Sequence, residues 1–151
     1  MVFVGIDPGK SGAMAIIGTG QNPFIRVVPY GDRDYAEVLR YHGEYDTFGG
    51  CVVERVNAMP GQGVTSMFSF GENYGFIQGL LTAFNVPYEL VRPAKWKKEF
   101  GVTSDKNTSI SVAKRLFPNA SLFRTERCRK EDDGIAEALL IAEYARRKMG
   151  V

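Results

Sequence analysis

The sequence predicts an α/β domain built on a mixed five-stranded sheet, a three-strand antiparallel meander plus parallel strands, with helices on both faces. Three observations carry this. Three short apolar runs, Met1–Asp7, Ala13–Ile17 and Phe24–Pro29, follow one another across turn-forming residues, as in a meander. Beyond them, short strand-like runs alternate with longer helical ones, the order expected of parallel strands joined by crossovers. Finally, Gly50–Glu54 is wholly apolar until its last residue, the pattern of a strand buried on both faces.

Taken in chain order, Met1–Asp7 ends in Asp7-Pro8-Gly9-Lys10-Ser11-Gly12, a turn signal, so it pairs with Ala13–Ile17 as a hairpin around Gly9–Gly12. Phe24–Pro29 makes the third strand. Asp34–Tyr41 reads as a short helix, Gly50–Glu54 as the fourth strand and Asn57–Thr65 as a loop with Met59-Pro60-Gly61-Gln62-Gly63 at its centre. Ser66–Phe84 reads as a helix that carries Gly71, Gly75 and Gly79 on one face. Glycine inside a helix costs up to about 1 kcal/mol relative to alanine, so three on one face imply very close packing by the sheet or by a partner helix. Pro87–Val91 is the fifth strand. Lys95–Phe100 and Asn107–Phe117 read as helices, the second stopped by Phe117-Pro118-Asn119. After the basic loop Ser121–Lys130, Glu131–Met149 is an amphipathic helix with Ile135, Ala138, Leu139, Ala142 and Ala145 on its apolar face. The chain of 151 residues, with no repeats or long linkers, is expected to form one domain, 1–151.

The acidic residues suggest where chemistry sits. Asp7 ends the first strand and Glu54 the fourth, each after an apolar run. Asp132 and Asp133 open the last helix, and Glu137 lies four residues after Asp133, on the same helix face. Singly these have bland explanations: a turn carboxylate, a strand-end surface residue, helix-capping aspartates. Together they form a set of hard oxygen donors in otherwise apolar contexts. Such a set is costly to bring together without a cation, and it suits Mg²⁺ or Mn²⁺. Cys51, Cys128 and His42, the only residues of their kinds, lack the spacing of a zinc site and read as two reduced thiols and a lone imidazole.

Charge is segregated. Between Arg92 and Lys130 eleven basic residues face three acidic ones, a net +8, which leaves −6 for the rest of a chain of net charge +2. One basic region on a nearly neutral protein points to a polyanionic partner. No run of about 20 uncharged apolar residues suggests a membrane helix, and the start carries no basic, cleavable leader. A cytoplasmic protein is expected.

Val2-Phe3-Val4-Gly5-Ile6-Asp7-Pro8-Gly9, then Val52-Val53-Glu54, then Asp133-Gly134-Ile135-Ala136-Glu137-Ala138-Leu139-Leu140-Ile141-Ala142, resemble the RuvC family of Holliday-junction resolvases, most of all its phage-encoded branch. The resemblance spans nearly the whole chain. It implies a ribonuclease H-like fold, a homodimer, branched DNA (a four-way junction) as partner, and paired symmetric nicks leaving 5′-phosphates. It also implies two Mg²⁺ ions per active site, with Mn²⁺ as substitute, and a place in the cytoplasm of a bacterial host if phage-encoded.

Residue by residue, Asp7 and Glu54 match the family's first two metal ligands. The family's last helix supplies two more, three residues apart, just before Ala-Leu. Here Glu137 holds the second of those positions and Gly134 the first, so Asp133 is the substitute, with Asp132 as alternative. Pro93-Ala94-Lys95-Trp96-Lys97 and Asp105-Lys106 match the family's catalytic or phosphate-binding lysines, with Lys97 and Lys106 as the candidates. Near a metal centre a lysine would hold the scissile phosphate or offset transition-state charge.

DNA contacts are expected from Lys10, Lys95, Lys97, Lys98, Lys106, Arg124, Arg127 and Arg129, and from Met59 and Phe68 as wedges at an opened crossover unless they anchor the loop in the core. Other readings are a less selective debranching nuclease for forks and flaps, and a catalytically idle junction-binding protein. Asp7-Pro8-Gly9-Lys10-Ser11-Gly12 also resembles the phosphate loop of actin-like kinases. Those have two lobes and a second such loop, for which this chain has no room, so no nucleotide cofactor is expected.

Overall fold

The computed structural model describes residues 1–150. Five strands form one sheet in the order β3-β2-β1-β4-β5, with β1 Val2–Asp7, β2 Ala13–Gly18, β3 Phe24–Pro29, β4 Phe48–Glu54 and β5 Tyr88–Val91. The β1–β2 and β2–β3 pairs are antiparallel; β1–β4 and β4–β5 are parallel. The meander and the parallel strands are therefore as the sequence predicts. The β1–β2 turn is closed by Gly12 N–H donating to Gly9 O at 3.0 Å. It needs glycine at position 9, where φ is +104°.

Five helices cover the sheet: α1 Asp32–Tyr45, α2 Val64–Ala83, α3 Pro93–Phe100, α4 Lys106–Leu116 and α5 Asp133–Met149. Several boundaries differ from expectation. α1 runs past Tyr41 to Tyr45, because nothing in that turn breaks it until Asp46, whose N–H closes on His42 O. α3 starts at Pro93, whose missing N–H is no loss at a first helical position. It ends at Gly101 in the left-handed region, φ 65°. α5 begins at Asp133, since Asp132 is its N-cap and accepts from Ile135 N–H at 3.0 Å.

Strand alternation divides the core in two. Phe3 on β1 and Val52 on β4 face a cluster with α3, α4 and α5, including Trp96, Ala113, Ala138 and Leu139. Val2, Val4 and Ile6 on β1, with Cys51 and Val53 on β4, face a second cluster with α1 and α2, built on Tyr35, Leu39, Ile77 and Leu81. The period of two then fixes the direction of the residues that end these strands. Asp7 continues the row of Phe3 and Gly5, and Glu54 the row of Val52, so both belong to the α5 side.

Gly5 sets how close α5 comes. A Cβ there would sit 2.0 Å from Ala142 N and 2.6 Å from Ala138 O, so the helix backbone lies directly on β1. The glycines of α2 behave otherwise. A Cβ on Gly71, Gly75 or Gly79 would meet nothing within 4 Å, so the expectation that they admit the protein's own sheet is not met. They face solvent in line with exposed Val64 and Phe68, at helix-face spacing.

Candidate metal centre

Asp7, Glu54 and Glu137 come together at the C-terminal ends of β1 and β4, each with one carboxylate oxygen within 4.8 Å of the others. The strand register explains the first two: β1 and β4 pair Gly5 with Val52 and Ile6 with Val53, and the next residues along are Asp7 and Glu54. Glu137 arrives because α5 rests on β1 through Ala138 and Ala142, the former immediately after it.

The electrostatics are those of carboxylates crowded together in a partly buried place. Burial lifts the Asp7 carboxyl well above the usual carboxylate range, and Glu137 and Glu54 beside it push the same way while Lys106 opposes them. Burial also raises Glu54; the hydrogen bond from Trp96 pulls it back and Glu137 adds to the rise. Lys106 Nζ donates to Glu137 Oε1 at 2.8 Å and lies 3.6 Å from Asp133 Oδ2. Burial would lower that ammonium's pKa, but its hydrogen bond to Glu137 and the surrounding carboxylates raise it. Lys106 is the first residue of α4, whose N-cap Asp105 accepts from Asn107 N–H. A cation at a helix N-terminus opposes the helix dipole, so the helix places it there at a cost that the carboxylates offset.

Asp133 lies at the mouth of the cluster, 48% exposed, bridged to Glu137 by Lys106 as their four-residue spacing allows. Gly134, one residue on, cannot carry a ligand: a Cβ there would lie 2.5 Å from Ser11 O. Asp132 does not join the cluster. It is tied to Arg124 Nε at 2.9 Å and to the α5 amide end, which hold its carboxyl below the usual range against its partial burial. Arg124 also donates to Gly12 O at 3.1 Å and to Ser11 O, so its guanidinium is committed within the protein, pinning the basic loop to the β1–β2 turn.

The remaining candidates are scattered. Lys97 lies over the Trp96 ring, 5.7 Å from its centroid, near enough to lower the Glu54 pKa. Lys95 and Lys98 line a depression with Tyr144 and Lys148, about two to three turns further along α5 than Glu137, and are not brought to the cluster. Lys10 is exposed beside the β1–β2 turn, and Arg127 and Arg129 are exposed in the loop before α5. Met59 and Phe68 are 60% and 70% exposed, so neither anchors the core.

Two functional neighbours escaped the sequence reading. Trp96 donates from Nε1 to Glu54 Oε2 at 2.8 Å. Asn73, buried on α2, accepts from Gly9 N–H at 2.7 Å and fixes the turn that follows Asp7. Trp96 had one signal, a lone tryptophan in a short basic helix; Asn73 had none.

A three-strand meander extended by parallel strands, with carboxylates at the ends of its central strands, defines a ribonuclease H-like fold. No protein-family model matches the sequence, and neither does any curated protein. Among solved structures, the chain is similar to Thermus thermophilus RuvC. The structure described as T. thermophilus RuvC in complex with Holliday junction substrate aligns with TM-score 0.63 and 16% identity over 99% of this chain and 97% of that one. A second Thermus thermophilus RuvC structure aligns with TM-score 0.61 and 17% identity over the same shares. The chain has the RuvC fold.

The donor set fits a hard divalent cation. It consists of three carboxylates, Asp7 and Glu54 half-buried and Glu137 buried, with no thiol or imidazole among them. Cys51 is buried on the opposite face of the sheet with its thiol pushed well up by burial, unsuited to ligation.

Proposed function

We propose that the protein is a divalent-metal-dependent, structure-selective endodeoxyribonuclease that resolves four-way DNA junctions as a homodimer by paired symmetric nicks leaving 5′-phosphates. The observation that carries this is the Asp7–Glu54–Glu137 cluster with Lys106 already lodged in it. Such an arrangement would be a liability in a protein that only binds DNA, because carboxylates repel phosphate.

Asp7, Glu54 and Glu137 would hold the ions, with Asp133 as the fourth carboxylate at the mouth. A divalent cation, Mg²⁺ with two per site as the expected case, would supply Lewis-acid activation of water and charge stabilisation for phosphodiester hydrolysis. The chain's own groups do the rest. Lys106, beside Glu137 at 2.8 Å, would hold a non-bridging oxygen of the scissile phosphate. Lys97 contributes positive potential on the Glu54 side. The turn at Gly9, fixed by Asn73, keeps Asp7 from rotating away from its partners. Lys10, Arg127 and Arg129 are free to meet backbone phosphates, which position the duplex without reading its sequence.

The dimer reading is supported by α2. It has one charged residue, Glu72, in 20, yet it exposes a stripe of Val64, Phe68, Gly71, Gly75 and Gly79. Apolar surface of that kind marks an interaction site, and bare glycines admit another backbone closely. A two-fold dimer would present two metal centres to the two-fold symmetry of a four-way junction. Met59, exposed in the loop before that helix, and Phe68, exposed in its second turn, would stack on opened bases.

The test is cleavage of a mobile four-way junction, a fork and a plain duplex, with and without Mg²⁺. The expected outcome is symmetric Mg²⁺-dependent nicks in the junction. Equal cutting of the fork would broaden the assignment to a debranching nuclease, and binding without cutting in Mg²⁺ or Mn²⁺ would reduce it to a junction-binding protein.

A further inference from the structure

A buried tryptophan has one polar atom to satisfy, an indole N–H that can only donate. Trp96 is the chain's sole tryptophan and is fully buried on the α5 side of the sheet. Its Nε1 donates to Glu54 Oε2 at 2.8 Å, across 42 residues of sequence. A hydrogen bond to a charged acceptor is roughly twice as strong as a neutral one. It also removes a freedom that matters, because the terminal torsion of a glutamate is broad and otherwise unfixed. With Oε2 tied to the indole, Oε1 is the oxygen left without a hydrogen-bond donor among the described residues. The indole is itself held firmly. α3 is bounded by Pro93 and by Gly101 in the left-handed region, and Phe100, one turn on, is buried beside Trp96 in the same core. The Lys97 ammonium lies over the ring, 5.7 Å from its centroid.

We propose that Trp96 is a positioning residue for the metal centre: its indole N–H locks the Glu54 carboxylate in the orientation that receives a hard divalent cation, and its ring carries Lys97 to the rim of the same site. The inference rests on reading the cluster as a metal centre. Core packing alone would be met by phenylalanine at this position. The donor is what the packing does not require, and partners of this kind around metal ligands are worth about 10–100-fold in metal affinity.

A single tryptophan makes this directly observable. In a ¹⁵N–¹H correlation spectrum of the full chain, the lone indole N–H gives one side-chain cross-peak. Titration with Mg²⁺ is expected to shift it saturably, in step with the backbone amides of Asp7 and Gly9, and E54Q is expected to move it without metal. W96F retains an aromatic ring but deletes the donor. It is expected to bind Mn²⁺, followed by the electron paramagnetic resonance of the free ion, about tenfold or more weakly. Its cleavage defect should appear as a raised Mg²⁺ requirement, with kcat recovering at high Mg²⁺. An indole peak that stays fixed while the Asp7 and Gly9 amides respond to Mg²⁺ would overturn the proposal, as would W96F with wild-type Mn²⁺ affinity. If no amide of the cluster responds to either ion, the metal-centre reading falls and this inference with it, a pattern distinct from the first. Should W96F not fold, the wild-type indole titration and E54Q decide the matter.

Discussion

Lys106 Nζ lies 2.8 Å from Oε1 of Glu137, a carboxylate only 5% exposed, and so supplies the positive charge in the cluster. Replacing it with methionine leaves carboxylates facing one another without a counter-charge. In EDTA at neutral pH, Lys106→Met is expected to lose about 1–2 kcal/mol, less than a fully buried pair would because the lysine is 55% exposed. Mg²⁺ should narrow that loss, while kcat stays down by about 100-fold or more. Thermal melts with and without Mg²⁺, beside cleavage kinetics, read both; equal destabilisation in the two buffers would assign Lys106 to packing alone.

The raised Asp7 and Glu54 carboxyls link stability to pH. Each binds its proton more tightly folded than unfolded, so between the ordinary carboxylate value and the raised one the folded state holds more protons. Stability from these groups is therefore full below about pH 4 and is lost as pH rises through the raised values. Metal-free protein should melt at a lower temperature at about pH 7.5 than at about pH 5, and Mg²⁺ should flatten the difference. A metal-free melting temperature that rises over this range would show that other groups outweigh the cluster.

Asp7→Asn removes one of the crowded carboxylates. It is expected to raise the metal-free melting temperature at neutral pH while abolishing cleavage, with junction binding kept or tightened as a negative charge facing phosphate is lost. Retained cutting, measured under single-turnover conditions, would sink the assignment of Asp7.

Gly5→Ala tests the approach of α5 to β1. The new methyl would lie 2.0 Å from the Ala142 amide nitrogen, so strand and helix must part. A loss of about 3 kcal/mol or more is expected, seen as a shifted denaturant midpoint, together with weaker Mn²⁺ binding because Glu137 moves with the helix. Wild-type stability would contradict the close contact.

Gly75→Arg probes the exposed face of α2, where a side chain meets nothing within 4 Å in the monomer. The variant should fold normally and, if the proposed dimer forms through α2, sediment as a monomer at concentrations where the wild type associates. An unchanged sedimentation profile for a dimeric wild type would place the interface elsewhere.

Much of this was legible in the chain. Short apolar runs bounded by turn residues yielded the five strands and their mixed sheet, because both signals are local. Helix boundaries slipped where they depend on caps: Asp132, the alternative to Asp133 as a ligand, closes the α5 amide end and holds Arg124. The same pairing took Arg124 out of the free basic surface. Exposure was not legible: Gly71, Gly75 and Gly79 suited either the protein's own sheet or a partner helix, and the fold leaves them on bare surface.

The sequence alone determined the strand order along the chain, the carboxylates at strand ends and the segregation of positive charge, since each follows from residue type and short-range spacing. Only the tertiary structure decided which carboxylates meet, that Lys106 sits among them and that Trp96 holds Glu54. Those contacts join residues 31 to 130 positions apart through the β1–β4 register and the seat of α5 on Gly5. Such juxtapositions are set by how whole elements pack, and no local pattern encodes them.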